Sequence, residues 1–380
     1  MLTLVFIRQL DREDLIMSKQ IVEVNATFQK HRGKFLLVLG ICVIGLIASI
    51  IVTSSLGSFL VDAKTTYQIL LYKLFGIATD NVEGLISSPE YNVIWMIRFP
   101  RVLLGLIVGA GLALCGTIMQ ACVQNPLAEP YILGVSSGAS LGATFSIMLG
   151  VGSLQVFSVS GVAFWSFIGA MIATIMVLTL SSLGGRASST KLILSGTVVN
   201  ALCTAFSNFI ISVASNAEGM QSIKFWTMGS LATAKWSNLV VPLLCTAICS
   251  IFFLLQARKL NIMLMGDEVA VTMGMNLRIY RWMYMVIISL LTGILVSSCG
   301  IIGFVGLMIP HMVRAIMGSD HRQLLPITLL MGGIFLIWAD ALARIIIPNS
   351  ELSIGIVTGL IGAPFFAYIL IKKSYGFTGQ

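Results

Sequence analysis

The sequence predicts an all-α, polytopic membrane protein of about ten transmembrane helices. Of its 380 residues, 57% are hydrophobic and only 10% are charged, whereas soluble domains carry about 25% charged residues. The mean hydropathy is +0.97. Uncharged windows of the roughly 20 residues needed to cross a hydrocarbon core recur at 35–61, 102–128, 192–217, 236–257, 282–310 and 352–371, and the run 130–185 holds no charge at all. The net charge of +8 does not signal nucleic acid. Its lysines and arginines stand at segment ends, where a membrane protein keeps them.

The leader 1–34 is mixed in charge and shows no cleavable signal peptide, so the first span is expected to act as an uncleaved start. The membrane domain is expected over 35–373, with a tail at 374–380. Spans are expected near 35–60, 98–121, 131–150, 161–182, 191–213, 236–256, 281–299, 303–317, 325–346 and 353–371. An even number puts both termini on one side. The leader carries Arg8, Arg12, Lys19, Lys30, Arg32 and Lys34, and the tail follows Lys372 and Lys373, which places both in the cytoplasm. The turns on that side then hold Arg186 and Lys191, then Arg258, Lys259, Arg278 and Arg281, then Arg314 and Arg322.

This count leaves the "RFPR" pair, Arg98 and Arg101, on the outer face. They are read as i,i+3 neighbours on a first helical turn, with Pro100 where its missing N–H costs nothing. Cations at a helix N-terminus oppose the dipole, so an external anionic partner is expected to complement them, snorkelling toward lipid phosphates being the alternative. Asp340 and Arg344 can pair along one face of the ninth span, and Arg344 is placed at its outer end. Gly134/Gly138/Gly142, Gly105/Gly109 and Gly355/Gly359 recur every four residues and are read as close-packing positions.

Chemistry is sparse. "GVSSG" at 134–138 matches a nucleophile pattern around Ser136, but that pattern needs a strand–turn–helix setting. The chain has three histidines, His31, His311 and His321, none placed to serve as a base. Seven cysteines lie in or beside apolar runs without metal or redox spacing and read as small hydrophobes. Ion-coupled carriers usually hold ionisable groups inside the membrane, and these spans hold almost none. No phosphate-binding G-x-x-x-x-G-K-[ST] loop is present, so energy for active transport would enter from another subunit. The connection 257–281 is the largest expected on the cytoplasmic side. Within it Gly266 and Gly274 bracket "DEVAVTM", and Asp267 and Glu268 suit the start of a short helix, either a capped surface helix or a knob that a partner grips.

Four stretches together resemble the FecCD permeases of ABC importers for iron-siderophores, haem and cobalamin. They are "RFPRVLLGLIVGAGLALCGTIMQACVQNPLAEPYILGVSSGASLGA" (98–143), the 266–274 loop, "GIIGFVGLMIPHMVRAIMGSDHRQLLP" (300–326) and "ADALARIIIPNSELSIGIVTGLIGAPFFAYILIKK" (339–373). The resemblance implies a type II importer architecture in a bacterial cell membrane. It further implies a second permease copy or close paralogue, two ATPase subunits that use ATP and Mg, and an external substrate-binding protein. This chain itself would bind no cofactor. By the same likeness Arg98, Arg101 and Arg344 would receive carboxylates of the binding protein. Asn125 and Leu127 would form a cytoplasmic gate with Ser188 and Ser189, and Gly266, Asp267, Glu268 and Gly274 would couple to the ATPase. Met273 stands where leucine is common. The expected cargo is a ferric siderophore, with haem or cobalamin as the alternative. An ion-coupled secondary carrier and an intramembrane hydrolase are the readings from other classes.

Overall fold

Backbone groups crossing lipid must bond within their own segment, so each apolar run becomes a helix. The computed structural model describes residues 32–57, 61–77, 84, 86, 88–151, 161–183, 189–214, 216–347 and 350–372. The chain forms two compact units, 1–44 and 45–380, and the contacts given below lie within the second. All ten expected spans are helical: α1 (Arg32–Ser55), α3 (Pro89–Val123), α4 (Val135–Met148), α5 (Gly161–Ser182), α6 (Ser189–Ala214), α8 (Trp236–Leu255), α11 (Leu277–Cys299), α12 (Val305–Met317), α13 (His321–Ile345) and α14 (Ile354–Lys372). Four shorter helices connect them: α2 (Ala63–Phe75), α7 (Ala217–Thr227), α9 (Ala257–Leu264) and α10 (Asp267–Thr272). Among the described residues seven helices are long and apolar enough to cross a membrane. At 1.5 Å per residue, α4 and α12 reach only about 20 Å, so irregular backbone precedes each of them.

The centre of the second unit is α3. From Phe99 to Val123 every side chain except Leu103 and Leu106 is buried, because α8, α11, α12 and α13 all pack on it. Such all-round burial requires a largely apolar helix, which the sequence from Val102 to Val123 supplies, with Thr117 and Gln120 as its polar residues and small glycines and alanines interrupting its bulk. A Cβ on Gly116 would strike the backbone of Gly306, one on Gly109 that of Gly332, and one on Gly142 that of Trp165. These contacts let backbones meet, and dispersion rather than hydrophobic transfer holds helices together in lipid. The expected packing role of Gly359 fails: nothing lies within 4 Å of a Cβ placed there.

The entry to α3 also differs from expectation. The helix begins at Pro89, not at Arg98, and Val93–Arg98 forms a π-helical turn in which the Phe99 N–H donates to Ile94 O. Pro100 supplies no N–H and crowds the preceding turn, and the wider π turn absorbs that loss inside a continuous helix. The arginines therefore sit well within a 35-residue helix instead of on its first turn. Trp95 and Trp236 pack against each other with centroids 4.6 Å apart, and the Trp236 indole donates to Trp95 O over 2.9 Å.

Candidate functional site: an arginine cluster, a gate loop and a coupling helix

At one end of α3, the three arginines converge but do not face solvent. Arg98, Arg101 and Arg344 are 7%, 6% and 5% exposed. Arg101 reaches Asp340 through Nε and Nη2, both at 2.9 Å from Oδ1, and Glu351 through Nη1 at 2.9 Å. Arg344 pairs with the same Asp340 at 3.1 Å, as its i,i+4 spacing predicts. The remaining donors address the end of α1. Arg98 Nη1 donates to Ser54 O and Ser55 O at 3.2 and 2.7 Å, and Arg344 donates to Leu56 O and Thr53 O at 2.8 and 3.0 Å.

A helix leaves its last four carbonyls unbonded and its C-terminus partly negative. Four successive carbonyls at the end of α1 thus receive two guanidiniums, each such charge-assisted bond being worth about 1.5–3 kcal/mol. This corrects the expectation that the RFPR pair lacks a complement within the chain. The complement is internal: two carboxylates and the end of another helix. Of the cluster, only Glu351 is substantially open, its side chain being 45% exposed.

At the opposite end of α3, Gln124 turns the chain in the left-handed region (φ 54°), and its side chain donates to Met263 O at 2.7 Å. Asn125 Oδ1 then accepts the Leu127 N–H at 2.9 Å, closing an Asx turn of the kind asparagine favours. Asn125 and Leu127 therefore shape one tight loop, and through Gln124 it touches the end of α9. The same loop continues to Glu129, whose carboxyl accepts the Phe304 N–H at 3.1 Å, and to Tyr131, whose hydroxyl donates to Ile302 O at 2.8 Å. Phe304 is itself left-handed (φ 68°) and packs on Gly362, where a Cβ would lie 2.5 Å away.

Glu129 and Tyr131 were not singled out from the sequence, although a signal was present: Glu129 is the sole charge between Arg101 and Arg186. Ser188 lies outside the described residues. Ser189 opens α6, but its side chain also lies outside them, so the described residues do not test this pair. Their described neighbours Ser182 and Leu192 line a cavity of about 990 Å³ beside α10 and α11.

The coupling segment folds as its sequence predicts. Gly266 (φ 99°) and Gly274 (φ 80°) flank α10 with backbone only glycine adopts freely, and Asp267 and Glu268 form its first turn. Asp267 accepts a bidentate pair from Arg281 on α11, at 2.8 and 2.6 Å, a partner the spacing did not reveal. Ala270 is buried beneath the helix, while Val271 and Met273 are 60% and 59% exposed. Short and anchored, α10 exposes Val269, Val271 and Met273 beside Asp267, Glu268 and Thr272.

The sequence profile of the FecCD transport family matches residues 41–372. The chain belongs to that family. It is 38% identical over 281 residues to the hemin transport system permease protein HmuU of Yersinia pestis, covering 74% of this chain and 84% of that one. It is 39% identical over 278 residues to the cobalamin import system permease protein BtuC of Halobacterium salinarum, covering 73% of each. A solved structure described as "an inward-facing conformation of a putative metal-chelate type ABC transporter" superimposes with a TM-score of 0.74 at 29% identity, over 88% of this chain and 99% of that one. This FecCD protein is accordingly a multi-pass, membrane-embedded permease subunit of an ABC importer.

Proposed function

We propose that this FecCD permease takes up a chelated iron compound, a ferric siderophore in the first place, across a bacterial cell membrane with both termini in the cytoplasm. The observation that carries the choice of a metal chelate is the structural match over 88% of the chain to a transporter described as of "putative metal-chelate type", supported by the relative named for hemin. Cobalamin is the second reading, favoured by the 39% identical relative named for it.

In this mechanism two ATPase subunits using ATP and Mg grip α10, and the chain holds no cofactor of its own. The ion pair from Asp267 to Arg281 passes movement of α10 to α11. Gln124 passes it to the gate loop of Asn125 and Leu127, with Ser188 and Ser189 as the second gate. A second permease copy or close paralogue completes the pathway. Binding-protein docking is proposed at the arginine cluster, where a carboxylate approaching Arg101 takes the place of the half-exposed Glu351. Reversing Arg98 or Arg101 would unfold the cluster, so Glu351→Lys is the informative variant.

The test is uptake of ⁵⁵Fe-labelled ferric siderophore, labelled haemin and labelled cobalamin in cells with and without this gene. Loss of ferric siderophore uptake alone is the expected result. Loss of cobalamin uptake alone would transfer the machine to the second cargo. Uptake that continues on an ion gradient without ATP would overturn the importer mechanism. Glu351→Lys should weaken binding-protein-stimulated uptake while membrane abundance is unchanged; full stimulation would remove docking from this cluster.

A further inference from the structure

The "GVSSG" stretch serves no hydrolase, yet its serines open on a cavity. At helical spacing, Ser137, Ser140 and Thr144 share one face of α4, and Asn200, Thr204 and Ser207 share one face of α6. The two faces enclose about 340 Å³, with Ser136 beside them and Ile211, Ile223 and Ile301 as the apolar wall. Among the described residues, none lining the cavity is charged.

Two of its hydroxyls stand out. Thr144 is fully buried and Ser207 is 8% exposed, and neither oxygen has a hydrogen-bond partner among the described residues. Hydroxyls on helices commonly return their proton to a carbonyl one turn back, as Thr117, Thr197 and Thr292 do here. Thr144 and Ser207 do not, and both lie on the cavity wall. Asn200, Thr204 and Asn208 on α6 are exposed. Amide side chains on a spanning helix are stable against water or protein rather than against hydrocarbon, so this face of α6 does not look onto lipid tails.

We propose that the cavity between α4 and α6 is a side-arm pocket of the transport path, taking a neutral hydrogen-bonding group (amide, hydroxyl or hydroxamate) carried at the rim of the cargo. The proposal rests on the importer reading above and adds a selectivity to it. Its volume lies at the lower end of small-ligand sites, about 300–1,000 Å³, so it admits an arm of a chelate and not a whole macrocycle. Lacking any cation, it gives no return for desolvating a carboxylate. Neutral arms are retained and acidic ones are passed over.

The experiment uses the full chain in cells lacking the native gene, with a neutral ferric trihydroxamate and with haemin as probes. Thr144→Val combined with Ser207→Ala should lower trihydroxamate uptake about five- to tenfold, the worth of one or two hydrogen bonds. Haemin uptake should be unchanged. Thr174→Val removes an equally unpartnered buried hydroxyl on α5 that does not line the cavity, and should leave both activities intact.

Trihydroxamate uptake by the double variant equal to that of Thr174→Val would overturn the pocket. If the wild-type chain imports no chelate, the importer reading fails, and a second measurement still decides the pocket. Thr204→Cys should react with a membrane-impermeant thiol reagent, and a cysteine that stays unmodified there shows that the cavity opens on no aqueous path.

Discussion

Replacing Asp340 with alanine should cost this permease about 3–5 kcal/mol, the usual consequence of removing one partner from a buried ionic group. Asp340 is 2% exposed and receives both Arg101 and Arg344 at 2.9–3.1 Å. Without it two guanidiniums remain buried side by side. Arg101 keeps Glu351, and Arg344 keeps only the carbonyls of α1 and its own helix. Since whole domains are stable by roughly 5–15 kcal/mol, about a fifth or more of the total is at stake. Glu351→Ala removes a pair whose acid is nearly half exposed, so it should cost no more than about 1 kcal/mol. Asp340→Ala with Arg101→Met should recover much of the loss, because an apolar replacement of a buried pair is often neutral. Reversible unfolding by SDS in detergent micelles reads all three variants. Equal midpoints for Asp340→Ala and Glu351→Ala would refute the argument that Asp340 is the shared counter-charge.

Gly116→Ala drives a methyl into the Gly306 backbone and should cost at least about 1–3 kcal/mol by overpacking, visible as a loss of monodisperse protein on gel filtration. Tyr131→Phe leaves the Ile302 carbonyl without its 2.8 Å donor; about 1–3 kcal/mol of stability should disappear from the SDS unfolding curve. The Asp267–Arg281 pair is half exposed at its acid and worth roughly 0.2–1 kcal/mol. Arg281→Ala should thus unfold nearly as wild type while ATP-driven uptake falls. The exchange Asp267→Arg with Arg281→Asp should restore uptake, and no restoration would deny the pair its transmitting role.

What the sequence disclosed depended on range. The short helix α10 was legible because its determinants are local: Gly266, Asp267, Glu268 and Gly274 fall within nine consecutive positions. The pair Asp340–Arg344 was legible from its spacing, and the convergence of the three arginines from the resemblance. Their partners were not. Ser54 and Ser55 are 44 and 43 positions from Arg98, and the acceptors are backbone carbonyls, which every residue has. Pro100 was read as sitting on a first turn, but it lies inside a longer helix; a π turn leaves no composition signature, so α3 was started nine residues late. Hydropathy also cannot separate a full span from a short helix joined to buried loop, which is why α4 and α12 are shorter than expected. Gly359 shows the limit of spacing arguments, since the same four-residue interval places Gly355 against Met228 and leaves Gly359 facing nothing.

The capping of α1 has a consequence for biosynthesis. Arg344 reaches Thr53 and Leu56 across 291 and 288 positions of chain. The first span to leave the ribosome therefore ends in carbonyls that wait for the ninth, and no truncation short of Arg344 finishes the first helix. Nascent chains arrested before that point leave the Thr53 and Leu56 carbonyls without the donors that Arg344 supplies, with only Arg98 to cap Ser54 and Ser55.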